Sequence, residues 1–294
     1  MIHKYLRSIG FSEINSRSRL NEIICSGIAS SDERAYTTVD HDVLYAEYNA
    51  YFGDRIGINI RGEYTEDNRF IYDYYFPFVR GKGETSYDDI TVEPQFEKLS
   101  FAGVLDDYRI GVSIIFYLQN IIPYMKLLYT DRLPVKGTSL TLSGLSTSGT
   151  ILMPIQKDEM QVRKAINYNM RKNRMLAEAR KGNEQAIESL TIDDMDTYNI
   201  VRRKMKEEDV YSVVDTYFMP YGVECDLYSI MGEITSFDKV KNTLTGEEVY
   251  IMTLDVNDMI FDICINSKDL IGEPKEGRRF KGIIWLQGYV NYPE

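Results

Sequence analysis

Residues 68–80, NRFIYDYYFPFVR, place Tyr72, Tyr74, Phe76 and Phe78 on one face of an extended chain and Asp73, Tyr75 and Pro77 on the other. Side chains change sides at every residue only in a strand, so this period of two commits the segment to a sheet. Pro77 cannot donate to a ladder, which predicts an edge strand or a strand end. The same pattern recurs in DVLYAEYNAYF, DRIGINIRGEY, KLSFAGVLD, YRIGVSIIFYL, TSLTLSGL and GTILMPI. Their connections (EDN, GKGETS, LDD, STSG) are short and carry Gly, Asn or Asp, which predicts antiparallel meanders and not crossover helices. Without alternating helices, a parallel dinucleotide-binding sheet is not expected.

Two short helical patterns, HKYLRSIGF and RSRLNEIICSGI, precede these strands. The period changes after about residue 157, where Val162, Ile166, Met170, Leu176 and Ala177 recur at helical spacing. Asn183 and Thr191 have the side chains of N-caps for further helices. Strand patterns return in CDLYSIMGEI, EEVYIMTLDV, MIFDICIN and RRFKGIIWLQGYV. Thr245-Gly246 and Asn257-Asp258 mark turns between them, the second a tight hairpin. Four long strands, the last bent at Gly288 to serve as two, predict a small closed barrel of the oligonucleotide-binding type. The expected fold is therefore α+β. It has an N-terminal domain with an antiparallel sheet (1–156), a helical connecting segment (157–216) and a C-terminal β-barrel (217–294).

Charge and residue usage exclude several functions. The chain of 294 residues carries 34 Lys and Arg against 45 Asp and Glu, a net charge of −11, which repels a phosphate backbone. Its two histidines, His3 and His41, are too few for a multi-histidine metal site. Cys25, Cys225 and Cys264 form no CxxC pair and suit a reducing cytoplasm. No secretory segment is expected at the start. The richest apolar stretch, 111–129, is interrupted by Gln119, Asn120, Pro123 and Lys126, so no spanning helix is expected. RGKGETS (80–86) lacks the spacing of a phosphate loop and reads as a hairpin turn. No cofactor, catalytic residue or metal ligand is assigned.

Two features suit binding. Between residues 163 and 181 there are seven Lys or Arg and one acid, with Arg163, Arg171, Arg174 and Lys181 beside the apolar stripe of that helix. This basic segment lies between acidic ends, net −5 over 1–156 and −6 over 217–294, which favours docking between the chain's own parts over nucleic acid. In the last strand, Phe280, Ile284, Leu286 and Val290 face inward, leaving Lys281, Trp285 and Tyr289 on the other side. Trp285, Tyr289 and Lys281 are the expected contact for another protein or a second copy. The alternatives are a nucleic-acid binder using the barrel and the basic helix 163–181, and a carboxylate-dependent enzyme with no recognisable motif.

PYGVECDLYSIMGEI, NTLTGEEVY and ICINSKDLIGEPKEGRRFKGIIWLQG, together with HKYLRSIGF, resemble a family of uncharacterised bacterial proteins about 300 residues long, found mainly in clostridia-type gut Firmicutes. The resemblance implies a cytoplasmic bacterial setting and assigns no activity or site residue.

Overall fold

The computed structural model describes residues 2–31, 33–39, 43–94, 100–107, 109, 112–155, 171, 174–175, 178, 183–185, 189 and 214–293. Met1–Leu152 with Tyr217–Glu294 form one compact unit, and Met153–Thr216 a second. In the second unit, residues 171, 174–175, 178, 184–185 and 189 are helical. Asn183 accepts the backbone N–H of Gln185 at 3.1 Å, as an N-cap does. The rest of the expected helical segment, with Arg163, Lys181 and Thr191, lies outside the described residues, as does His41.

The first unit is mostly β. A short 3-10 helix (Lys4–Ile9) and α1 (Arg17–Ser30) open it. A four-stranded antiparallel sheet follows, of β1 (Glu33–Val39), β2 (Val43–Gly53), β3 (Ile56–Tyr64) and β4 (Phe70–Val79), paired in chain order. β4 carries Pro77 and is an edge strand, as its proline requires. Residues 80–86 then lead to β5 (Ile90–Pro94), which lies in the other sheet, so this glycine loop is a crossover between sheets and not a hairpin.

β6 (Phe101–Asp107) and β7 (Val112–Leu118) continue the second sheet, followed by α2 (Ile121–Tyr129) and β8 (Ser139–Leu152). After the second unit come β9 (Tyr217–Pro220), β10 (Leu227–Lys241), β11 (Glu248–Val256), β12 (Met259–Asn266), β13 (Leu270–Ile271) and β14 (Arg279–Asn291). Five of these close into a barrel in the order β8-β12-β11-β10-β14 and back to β8. β8 runs parallel to β12, and the other four pairings are antiparallel. Asn257 and Asp258 both take positive φ in the tight β11–β12 turn, which short polar side chains tolerate.

The barrel closes differently from the expected arrangement. β14 is one continuous strand, and the fifth strand is β8, from 139–152. β8 itself runs through STSG, read above as a connection, because it is laddered on both sides, by β12 and β13 and by β14. A Cβ at Gly288 would sit 2.3 Å from Phe116, so the glycine admits that ring into the core.

Two apolar cores result. The first fills the barrel with alternate residues of its strands, including Phe280, Ile284, Leu286 and Val290, as the inward face of β14 predicts. The second lies between the outer face of the barrel and the four-stranded sheet, together with the 3-10 helix and α1. Cys264 is wholly buried because the 3-10 helix covers its face of β12. Among the described residues, no helix is long and apolar enough to cross a membrane.

Candidate functional site

The 3-10 helix begins where the imidazole Nδ1 of His3 accepts the N–H of Tyr5 and ends at Gly10, whose φ of 89° suits a glycine. Tyr5, Leu6 and Ile9 are buried. The helix is strapped to the barrel along its length. Ser8 Oγ donates to the carbonyl of Ser146 at 2.7 Å, Asn242 Nδ2 to that of Ile9 at 2.8 Å, and Asn266 Nδ2 to that of Arg7 at 3.0 Å. Arg7 grips Asp269 with two bonds, at 2.6 and 2.5 Å. On the other side, the N–H of His3 donates to the hydroxyl of Tyr75 on β4 at 3.0 Å.

This seating leaves a cleft of about 830 Å³ between the 3-10 helix, α1, β4 and the barrel. Trp285 is on its floor. The indole is stacked on Tyr5 with centroids 5.3 Å apart, and His3 and Tyr117 lie at 4.8 and 5.2 Å. Phe76 meets it edge-on at 6.3 Å. Tyr72, Tyr74 and Tyr75 of β4 line it as well, as do Arg17 and Asn21 of α1. Glu224 and Asp226, from the loop between β9 and β10, line another part of it. Six aromatic residues therefore surround one space together with Asp73, Glu224 and Asp226.

The charged groups are individually held. Trp285 Nε1 donates to Asp226 Oδ2 at 2.8 Å. The Lys4 ammonium lies 3.7 Å from Glu224 and 5.0 Å from the centroid of the Tyr5 ring. Burial, and next to it the charge of Lys4, lowers the His3 imidazole to about 4, so it is neutral at pH 7. Burial also raises the Asp226 carboxyl above the ordinary range, and the indole N–H opposes that shift. The Tyr5 hydroxyl is pushed up by burial and by the negative charge of Glu224 and Asp226. Cys225, exposed between these two carboxylates, has its thiol raised by partial burial and by Asp226, the reverse of what activates a nucleophile.

Beneath the cleft is a buried ion pair. Arg61, with no exposed surface, donates from Nε to Glu47 at 3.1 Å and from Nη1 to the Tyr117 hydroxyl at 3.1 Å. Its Nη2 donates to the carbonyls of Leu118 and Gln119 at 3.0 and 2.7 Å, and its guanidinium lies 4.6 Å from the Phe76 ring centroid. Burial raises the Glu47 carboxyl, against the pull of Arg61.

A family model described as "Domain of unknown function, E. rectale Gene description (DUF3881)" matches residues 6–288. The chain belongs to this family. No curated protein and no solved structure matches it. The DUF3881 match takes in β4, Tyr117, Glu224, Asp226 and Trp285, while Ile2–Tyr5, which complete the cleft, precede it.

Of the binding candidates from the sequence that lie among the described residues, Trp285 alone lines the cleft. It is 5% exposed and part of the second core, so it is a floor and not an open platform. Lys281 and Tyr289 share its strand face but stand four residues away on either side, about 13 Å along the strand. The Tyr289 ring lies under the Arg80 guanidinium at 4.2 Å. Arg171 and Arg174 are exposed in the second unit. Among the described residues, no group of three or more His, Cys, Asp or Glu is placed to hold a metal ion.

Sequence reasoning passed over Tyr5, Tyr117, Glu224, Asp226 and the Arg61–Glu47 pair. The tyrosine run of β4 was a usable signal, because a strand with rings on both faces has more aromatic surface than one core can take.

Proposed function

We propose that the protein is a non-catalytic binding protein, which takes a segment of another protein into the cleft above Trp285. The observation that carries this is the ring-lined cleft of about 830 Å³, a volume ordinary for recognition sites. Its rings offer stacking faces, its tyrosines offer hydroxyls, and its carboxylates are positioned by Trp285 and Lys4. The order and directions of the five barrel strands support an oligonucleotide-binding-type barrel whose fifth strand comes first in the chain. The excess of acids over bases in 217–294 weighs against nucleic acid as its ligand. The free thiols of Cys25, Cys225 and Cys264 suit a reducing, cytoplasmic setting.

Capture from native extract by the full chain tests this reading when three baits are compared: wild type, Tyr74→Ala in the cleft wall, and Tyr87→Ala on a remote exposed ring. A polypeptide retained by wild type and Tyr87→Ala but lost with Tyr74→Ala is the expected result. If all three baits retain the same proteins, the cleft is not the binding site.

A further inference from the structure

We propose that the group seated in the cleft is an organic cation, the ammonium or guanidinium of a basic side chain on the partner polypeptide. This rests on the reading of the cleft as a binding site and names what it recognises. The cleft presents carboxylates at Asp73, Glu224 and Asp226 against the bases Lys4 and Arg17, an excess of one negative charge that favours a cation over an anion. Aromatic faces are the second attraction, since a cation within about 6 Å of a ring centroid is drawn to its negative face, most strongly for tryptophan. The Trp285 N–H points its hydrogen at Asp226 and the indole is stacked on Tyr5, so the rings accessible to a cation are the half-buried ones of Tyr72, Tyr74 and Tyr75.

One cation already demonstrates the mode. The Lys4 ammonium rests 5.0 Å from the Tyr5 centroid and 3.7 Å from Glu224, combining a ring face with a carboxylate. Its side chain and that of Glu224 are each 59% exposed, so this internal ammonium is weakly held and free to give way to another. His3, neutral at pH 7 against the floor, adds no opposing charge.

The only tryptophan of the chain is the cleft floor, so its emission reports occupancy directly. The probes are three blocked peptides, Gly-Gly-Lys-Lys-Gly-Gly and its counterparts with norleucine or glutamate in place of lysine, with butylammonium as a free amine. The lysine peptide should bind at least about tenfold more tightly than the norleucine peptide, and more tightly than butylammonium if a polypeptide is the source of the cation. Asp226→Asn, which keeps an acceptor for the indole N–H, and Glu224→Gln on the exposed rim should each remove most of that preference. Equal binding of the lysine and norleucine peptides, or tighter binding of the glutamate peptide, would overturn the cation while leaving the cleft a binding site. Silence from every probe would also overturn it, and the capture comparison would then decide the broader reading on its own.

Discussion

Replacing Glu47 with leucine would strand the Arg61 guanidinium where water does not reach. Arg61 has no exposed surface and Glu47 is 3% exposed. Each therefore gave up its hydration on folding, and their contact at 3.1 Å, with the bonds of Arg61 to Tyr117 and two carbonyls, offsets that loss. Removing one member of such a pair costs about 3–5 kcal/mol, because the other charge stays buried and uncompensated. For a compact unit of this size that lowers the midpoint of thermal unfolding by about 6–20 °C. Arg61→Met should cost a similar amount at pH 7, with a distinct pH signature. Burial already raises the Glu47 carboxyl, and losing the cation raises it further. A folded-state pKa above the unfolded value means that the variant gains stability as pH falls from 7 towards 5. The double variant buries neither charge and should cost no more than the worse single one, a coupling of about 3 kcal/mol. Urea unfolding of all four proteins at pH 7 and pH 5 measures these quantities. Additive costs, or single variants within about 0.5 kcal/mol of wild type, would show that the two buried charges do not depend on each other.

His3 should make stability fall with acid. Its folded pKa of about 4 lies below the ordinary 6.5 of an imidazole, so the contribution is complete above pH 6.5 and is lost as pH drops towards 4, with a ceiling of about 3 kcal/mol. His3→Gln should flatten that part of the pH–stability curve, and an unchanged slope would place the titration elsewhere. Leu6→Ala should cost about 2–5 kcal/mol, since Leu6 is 1% exposed between the barrel and the sheet; a loss under about 1 kcal/mol in urea unfolding would mean that the 3-10 helix is not a wedge. Gly288→Ala should destabilise by about 1–3 kcal/mol through collision with Phe116. Adding Phe116→Leu should recover part of that loss, and no recovery would locate the strain outside this contact.

The strands were legible where one face was apolar. The period of two identified β2, β3, β4, β6, β7 and four of the barrel strands, with β8 read as two shorter ones, and Asn257-Asp258 identified a hairpin, because alternation and positive φ are local properties. Partners were not legible. Alternation says that a strand has two faces and is silent about which strand lies beside it, so β8 could not be matched to β12 more than a hundred residues away. The fate of Trp285 was hidden for the same reason. Its face is mixed in sequence, and what buries it comes from Tyr5, Phe76 and Tyr117 on three other elements. Arg61 is the extreme case. In GINIRGEY an arginine reads as a solvent-facing strand residue, and only the arrival of Glu47, Tyr117 and two carbonyls makes its burial tolerable.

The position of the charges connects the fold to the ligand proposed for the cleft. Several arginines of the first unit are turned towards partners within it: Arg7 to Asp269, Arg55 to Asp262, Arg61 to Glu47 and Arg109 to Asp107. Each pair cancels one acid with one base, so the net charge of −11 is left to the remaining residues. A field of that sign draws cations from a distance and speeds their encounter, an effect that weakens as salt is added. Ring stacking in the cleft is short-ranged and nearly independent of salt. A basic partner would accordingly show an association rate that falls with ionic strength and a dissociation rate that hardly moves, whereas a neutral aromatic ligand would show neither dependence. The two kinds of occupant are separable by kinetics alone, because the charge acts before contact and the rings act after it.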